Sequence, residues 1–247
     1  MPNITRIAHR GASGKGWAPE NTLVAFQKAI EIGTDAIEMD VHRTKDGHVV
    51  VCHDTTLDRT TDRHGAIKDL TLSEIKQADA GNRFGPAFAG ERIPTLKEAL
   101  DLVQDKALAL IEIKPEDIAR EVVRTIEAHD AVERVVVQSF HKEVVREVGI
   151  LNPHLRRALL IGVPAIDVGR TRAIRLTRRT TEVGASILSL SHNAATPKLV
   201  QELHRRGLTL WGWTVDEFDD LRRMLQIGVD GIISNYPDRL NEVLQSP

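Results

Sequence analysis

Two carboxylates stand two residues apart in the stretch Ile37-Glu38-Met39-Asp40-Val41. The alternation predicts a strand with Ile37, Met39 and Val41 on one side and Glu38 and Asp40 on the other. The two acids would then lie about 6–7 Å apart along the chain. In a protein interior such a pair is costly unless positive charge sits between them. A hard divalent cation supplies that charge, because Mg²⁺ and Ca²⁺ take carboxylate oxygens. The plain alternative is an edge strand with its acidic face in water. An isolated Glu-x-Asp favours that alternative, but this one has company. His9-Arg10-Gly11 precedes it, His53-Asp54 follows, and Glu112-Ile113-Lys114 comes further on.

Each companion has an ordinary reading when taken alone. His9 could be a hydrogen-bonded core histidine, Lys114 a strand-end surface lysine and Trp213 a core residue. Cys52 beside His53 suggests a thiol nucleophile, but neighbours in an extended segment point to opposite faces. Taken together, the set specifies a chemistry. His9 and His53 supply a general acid and a general base. Glu38, Asp40 and Glu112 supply three carboxylates for one hard divalent metal. Arg10 and Lys114 hold phosphate oxygens, one as a fork and one as a point charge. A metal, two cations and two titrating histidines suit in-line displacement at a phosphodiester. No Cys/His cluster suggests zinc.

These residues need a scaffold that brings distant segments to one place. A first strand is expected over 4–9, ending at His9. A glycine-rich loop over 11–19 follows; it lacks both the P-loop and the dinucleotide-binding spacings. Asn21 is the expected N-cap of a helix carrying Leu23, Phe26 and Ile30 and stopped by Gly33. The acidic strand covers 35–42, and a short strand over 49–52 delivers His53. Residues 55–94 are polar, with four glycines and two prolines, and read as an insertion after the second barrel strand.

From there strands are expected over 107–114, 135–140, 156–161, 187–191, 209–215 and 231–234. Helices fall at 95–104, 116–129, 141–150, 168–182, 197–206 and 216–226, with a last one from Pro237. Eight strands alternating with eight helices predict a closed parallel α/β barrel over 1–247 as one unit. His9, Glu38, Asp40, Glu112, Lys114, Phe140, Trp213 and Asn235 all fall near strand C-terminal ends, the active-site face of that fold. The arginines over 170–179 read as a solvated helix face.

The 247 residues suffice for a single barrel, and a net charge of −2 gives no bias toward nucleic acid. A single cysteine, Cys52, excludes an intrachain disulfide. The N-terminal residues lack signal-peptide character, and no apolar run is long enough to cross a bilayer. A soluble, cytoplasmic protein without stable membrane insertion is expected; its oligomeric state stays open.

The motifs resemble those of the glycerophosphodiester phosphodiesterase family. The resemblance runs from His9-Arg10-Gly11 through Pro19-Glu20-Asn21-Thr22, Glu38-Met39-Asp40-Val41, His53-Asp54, Leu57-Asp58-Arg59-Thr60-Thr61, Glu112-Ile113-Lys114, Ser139-Phe140 and Trp213-Thr214-Val215 to Pro237. It implies a TIM (β/α)8 barrel with a small insertion at 55–94. It implies metal-dependent hydrolysis of glycerophosphodiesters, such as glycerophosphocholine or glycerophosphoethanolamine, to sn-glycerol 3-phosphate and an alcohol. The implied cofactor is one Mg²⁺ or Ca²⁺, with Mn²⁺ also admitted, on Glu38, Asp40 and Glu112. His9 and His53 would be the acid/base pair, and Arg10 and Lys114 would contact phosphate. Phe140 and Trp213 would wall the glycerol side. Asp54 would orient His53, and Asn21 would cap the helix and brace the mouth.

The sequence departs from the family pattern twice. The loop before Pro19 is slightly longer and carries Lys15 and Trp17; Trp17 either covers the pocket or packs on the insertion. The last strand ends Ser234-Asn235-Tyr236-Pro237, where the family more often has Thr-Asp before proline. A rival reading is a lysophospholipase D or sphingomyelinase D-like enzyme acting on lipids. That needs an apolar approach, and the insertion offers only Phe84 and Phe88. A decayed, non-catalytic binding barrel would have lost a histidine or a metal carboxylate, and none is missing.

Overall fold

Strands buried on both faces must be apolar on both, except where polar residues are put to use. The structure, a computed structural model, describes residues 4–162 and 170–245. In its order of elements β1 (Thr5–Ala8), α1 (Leu23–Ile32), β2 (Ala36–Arg43) and β3 (Val49–Val51) come first. A short α2 (Leu72–Ile75) lies in the insertion, followed by α3 (Leu96–Val103) and β4 (Leu108–Ile113). Then come α4 (Ala119–Ala128), β5 (Val135–Ser139), α5 (Lys142–Leu151) and β6 (Arg156–Ile161). The chain continues with α6 (Arg170–Thr181), β7 (Ile187–Ser191), α7 (Pro197–His204) and β8 (Thr209–Trp213). It ends with α8 (Phe218–Gln226), β9 (Gly231–Ser234) and α9 (Pro237–Gln245). The expected helix start at 168 lies outside the described residues.

The strands run in the order β1-β9-β8-β7-β6-β5-β4-β2, and a β1–β2 pairing closes the ring. Those pairings are parallel; β3 alone is antiparallel, as a hairpin partner of β2. The fold is a TIM barrel, as the alternation predicted. Inside it Ile7, Ala36, Leu110, Val136, Ala158, Ile187, Trp211 and Ile233 form one apolar cluster, with one residue from each parallel strand. The outer faces of the strands, such as Ile37, Met39 and Val41 on β2, pack under the helices. One step up the barrel from the inner cluster, Ala36 gives way to Glu38, Leu110 to Glu112, Val136 to Gln138 and Trp211 to Trp213. The apolar plug therefore ends where the polar mouth begins.

Helix starts hold these strand ends in place. Thr95 caps α3 in a capping box with Glu98, and Thr196 caps α7. The cap of α1 is Thr22, not Asn21 as expected. Thr22 has the extended backbone that a cap requires, at φ −117°, and its side chain accepts from Ala25 N–H. Asn21 is held at φ 57°, in the left-handed region, and faces the barrel instead.

The insertion is compact rather than loose. Val50, Cys52, Leu57, Ile67, Ile75, Ala78, Ala80 and Ile93 form their own buried cluster. Its Phe84 and Phe88 pack edge to face on each other, 5.3 Å between centroids. In α6, Ala173 and Leu176 are buried while Arg175 and Arg178 are exposed, which fits a solvated arginine face. No helix among the described residues is long and apolar enough to cross a membrane.

Candidate active site

The acidic pair on β2 is not an exposed edge. Glu38 and Asp40 are 1% and 0% exposed, so the alternative with an acidic face in water is ruled out. β2 pairs with β4 in a register that sets Asp40 beside Glu112. The three carboxylates offer oxygens that all lie within 4.8 Å of one another. Two cations from the same rim answer them. Lys114 Nζ lies 2.7 Å from Glu112 Oε1 and 3.2 Å from Asp40 Oδ1. Arg10 Nε lies 3.3 Å from Asp40 Oδ2.

Three buried negative groups facing two positive ones leave one charge unanswered, and the proton affinities show where. Burial, then Asp40 and Glu112, push Glu38 well above the usual carboxylate range. Burial and Asp40 raise Glu112 to about 7, against the opposing pull of Lys114. Asp40 is held low: burial opposes its charge, but Lys114 and Arg10, with His53 and His9, outweigh it. Glu38 Oε1 is buried without a hydrogen-bond partner, and Asp40 Oδ1 has only the Lys114 ammonium beside it. A divalent cation fits this donor set, since it would answer the spare charge and use the orphaned Glu38 oxygen.

The backbone around Arg10 is built for close approach. Arg10 sits at φ 57°, and its N–H donates to Glu38 Oε2 at 2.9 Å. Gly11 follows at φ 82°, where a Cβ would meet the Ala25 backbone at 2.7 Å. Only glycine allows β1 to turn so tightly onto α1. Asn21 Nδ2 donates to Asp40 Oδ2 at 2.9 Å, and its N–H bonds the Arg10 carbonyl at 3.0 Å. Asn21 therefore braces the acidic cluster.

The two histidines have different partners. His9 Nδ1 lies 2.7 Å from Asn235 Oδ1. Asn235 Nδ2 donates to Asp216 Oδ2 at 2.7 Å, and its backbone N–H to Asp216 Oδ1 at 2.9 Å. With its amide nitrogen turned to a carboxylate, Asn235 can offer His9 only its oxygen. His9 therefore carries its proton on Nδ1 and leaves Nε2 as acceptor, 4.0 Å from Glu38. Burial, helped by the Arg10 charge, lowers its pKa to about 4. His53 Nδ1 lies 2.7 Å from Asp54 Oδ1, the orienting contact expected of that carboxylate.

Arg59, from the insertion, ties this side together. It donates to both oxygens of Asp54, at 2.7 and 3.0 Å. It also donates to both oxygens of Glu20, at 2.8 and 2.7 Å. Glu20 Oε1 in turn accepts from Arg10 Nη1 at 2.9 Å. Its hydrogen bonds to Arg59 are the main force that overcomes burial and keeps Asp54 ionised.

His9, Arg10, Glu38, His53, Glu112, Lys114, Phe140 and Trp213 line one cavity of about 100 Å³, with Asp40 beneath it. Phe140 and Trp213 meet edge to face, 5.5 Å between centroids, at the β5–β8 side. Every residue predicted for the site is thus gathered at one mouth. Trp17 does not line the cavity; it packs against the barrel's larger core cluster. Cys52 is buried, and burial pushes its thiol up to about 12, far from a nucleophile. The brace expected of Asn21 is present, but Glu20, Arg59, Gln138, Asp216 and the site role of Asn235 were not foreseen. Their partners lie far away in the chain, and only the departure at Asn235 drew notice.

The chain matches the sequence model of the glycerophosphoryl diester phosphodiesterase family over residues 9–239. It is 43% identical over 240 residues to a glycerophosphodiester phosphodiesterase of Caldanaerobacter subterraneus subsp. tengcongensis, with 95% of each chain covered. It is 34% identical to one of Bacillus subtilis, covering 97% of this chain and 86% of the relative. Among solved structures, an Oleispira antarctica phosphodiesterase in complex with the product sn-glycerol-3-phosphate superimposes with a TM-score of 0.88. That pair is 27% identical, and 100% and 98% of the two chains are covered.

Proposed function

The chain belongs to the glycerophosphoryl diester phosphodiesterase family and is a phosphodiesterase of that class, and on that premise we propose its reaction in detail. The substrates are glycerophosphodiesters such as glycerophosphocholine and glycerophosphoethanolamine. The products are sn-glycerol 3-phosphate and the free alcohol. The observation that carries this reading is a buried three-carboxylate cluster in one mouth with two histidines, each oriented through Nδ1.

Glu38, Asp40 and Glu112 would hold one Mg²⁺ or Ca²⁺, or Mn²⁺. When bound, the ion supplies Lewis-acid stabilisation of charge on the phosphoryl oxygens. Arg10 and Lys114 hold non-bridging oxygens of the phosphodiester. His9, neutral and with Nε2 free, accepts the proton of the nucleophile. The nucleophile is water, or the glycerol 2-hydroxyl with water opening the cyclic phosphate afterwards. His53 gives a proton to the oxygen of the departing alcohol. Phe140 and Trp213 wall the glycerol. Among the described residues, Phe140 and Trp213 are the only Phe, Tyr or Trp side chains lining the cavity, and Phe84 and Phe88 of the insertion do not reach it, which supports a soluble diester over a lipid.

The test is ³¹P NMR of the protein with glycerophosphoethanolamine and Mg²⁺. The reading expects one new resonance, that of sn-glycerol 3-phosphate. Appearance of phosphoethanolamine would place cleavage on the other ester bond and overturn it.

A further inference from the structure

A glycerophosphodiester has two arms, and the active-site cavity has room for little more than one. At about 100 Å³ it falls below the roughly 300–1,000 Å³ usual for small-ligand pockets. A larger groove of about 550 Å³ opens on the rim beside it. Its floor is His42, whose Nε2–H donates to the carbonyl of His53 at 3.1 Å. Thr55, two residues past His53, and Pro115, next to Lys114, form the near edge. Ala66 and Lys68 of the insertion and Asp117 of the β4–α4 loop form the far walls. The groove therefore adjoins the proton-donating histidine and a phosphate-binding lysine. It lies on the β2–β4 side, across the mouth from Phe140 and Trp213.

The lining says which alcohols it suits. Recognition of a quaternary ammonium uses aromatic faces or free carboxylates. No Phe, Tyr or Trp ring lines the groove. Its one carboxylate, Asp117, is already engaged by Arg43 Nη2 at 2.6 Å. Lys68 is exposed and has no acidic partner among the described residues. Arg43 is answered by Asp117 and by Glu121, at 2.6 and 2.7 Å, so Lys68 is the one charge of the groove lining without an ionic partner among the described residues, beside hydrogen-bonding groups.

We propose that this groove is the site of the leaving alcohol, and that it favours hydroxylated alcohols bearing an anionic group over cationic ones. The proposal rests on the diester hydrolysis argued above. It gives the insertion a role in choosing substrate, because Lys68 and Ala66 belong to it.

The experiment compares kcat/KM for glycerophosphocholine, glycerophosphoglycerol and glycerophosphoinositol 4-phosphate, whose alcohols are cationic, neutral and anionic. The expected order is anionic, then neutral, then cationic, with about tenfold between the extremes, narrowing as salt rises. Lys68→Ala should flatten the order, and Lys68→Glu should reverse it. A misfolded variant would lower all three esters together, so a reversal does not arise from damage. Equal kcat/KM for the three esters, or an order indifferent to Lys68→Glu, would overturn the groove assignment and leave the diesterase reading standing. Failure to release glycerol 3-phosphate from all three would instead sink that reading itself.

Discussion

Arg59 binds Glu20 through two parallel hydrogen bonds of 2.8 and 2.7 Å, joining the insertion to the loop that follows β1. The same guanidinium holds Asp54, and the two acids touch Arg10 and His53. Arg59 thus positions one residue for phosphate and one for proton transfer without reaching either job itself. Arg59→Ala should cost about 10–100-fold in kcat, the range typical of partners that orient ligating or reacting groups. Lys reaches one acid at a time, so Arg59→Lys should recover only part of this. The Arg59 side chain is half exposed, so thermal stability should change by no more than about 1 kcal/mol. Equal kcat in wild type and Arg59→Ala would remove the positioning role.

Replacing either histidine removes one proton transfer. His9→Ala and His53→Ala should each lower turnover about 10²–10⁴-fold. Circular dichroism should show the barrel intact, since both side chains sit at the mouth rather than in the apolar plug. An ester with a good leaving group, such as a p-nitrophenyl diester, needs no proton on departure. It should rescue His53→Ala and leave His9→Ala slow. Rescue of His9→Ala instead would exchange the two roles.

Protons compete with metal at the carboxylates. Glu112, with its pKa near 7 in the metal-free site, is mostly protonated below that pH, and Glu38 is shifted in the same direction. Binding a cation must then expel protons. Affinity for Mg²⁺ or Ca²⁺ should therefore fall as pH drops below about 7, approaching tenfold per pH unit for each proton released. Calorimetry in buffers of different ionisation enthalpy counts those protons. Glu38→Gln should weaken binding and reduce the count. A pH-independent affinity, or an unchanged titration in Glu38→Gln, would take these residues out of the metal site.

Asn21 offers a way to separate a contact from a backbone. Asn21→Gly keeps the φ of 57° available and removes only the two hydrogen bonds with Asp40, from Asn21 Nδ2 to Oδ2 and from Asp40 N–H to Asn21 Oδ1. It should weaken metal binding about 10–100-fold. Asn21→Ala loses the same contact and adds about 1–2 kcal/mol of left-handed strain. Its melting temperature should therefore fall below that of the glycine variant. Identical metal affinity in wild type and Asn21→Gly would confine Asn21 to a backbone role.

The barrel was readable because its signals are local. Alternation along Ile37 to Val41 gave the faces of β2, and glycines such as Gly33 and Gly228 marked helix ends. The carboxylates and histidines were readable because their types are expensive at buried strand ends. What stayed hidden depends on pairs that only the fold brings together. Asn21 and Thr22 are both good capping residues, and the local sequence does not say which one turns inward to Asp40. Arg59 meets Glu20 across 39 residues, and His9 meets Asn235 across 226. No period or motif encodes such contacts. Trp17 was ambiguous for the same reason, since a glycine-rich loop leaves the direction of its side chains to the core it lands on.

The most direct test of the central claim is a coupled assay for sn-glycerol 3-phosphate release from glycerophosphocholine. It should be run in EDTA and again after adding back Mg²⁺, Ca²⁺ or Mn²⁺. A cation held by Glu38, Asp40 and Glu112 predicts that release stops in EDTA, returns with at least one metal, and stays low in Glu38→Gln at the same metal concentration. Release that continues undiminished in EDTA, with the metal shown to be gone by elemental analysis, would contradict the account.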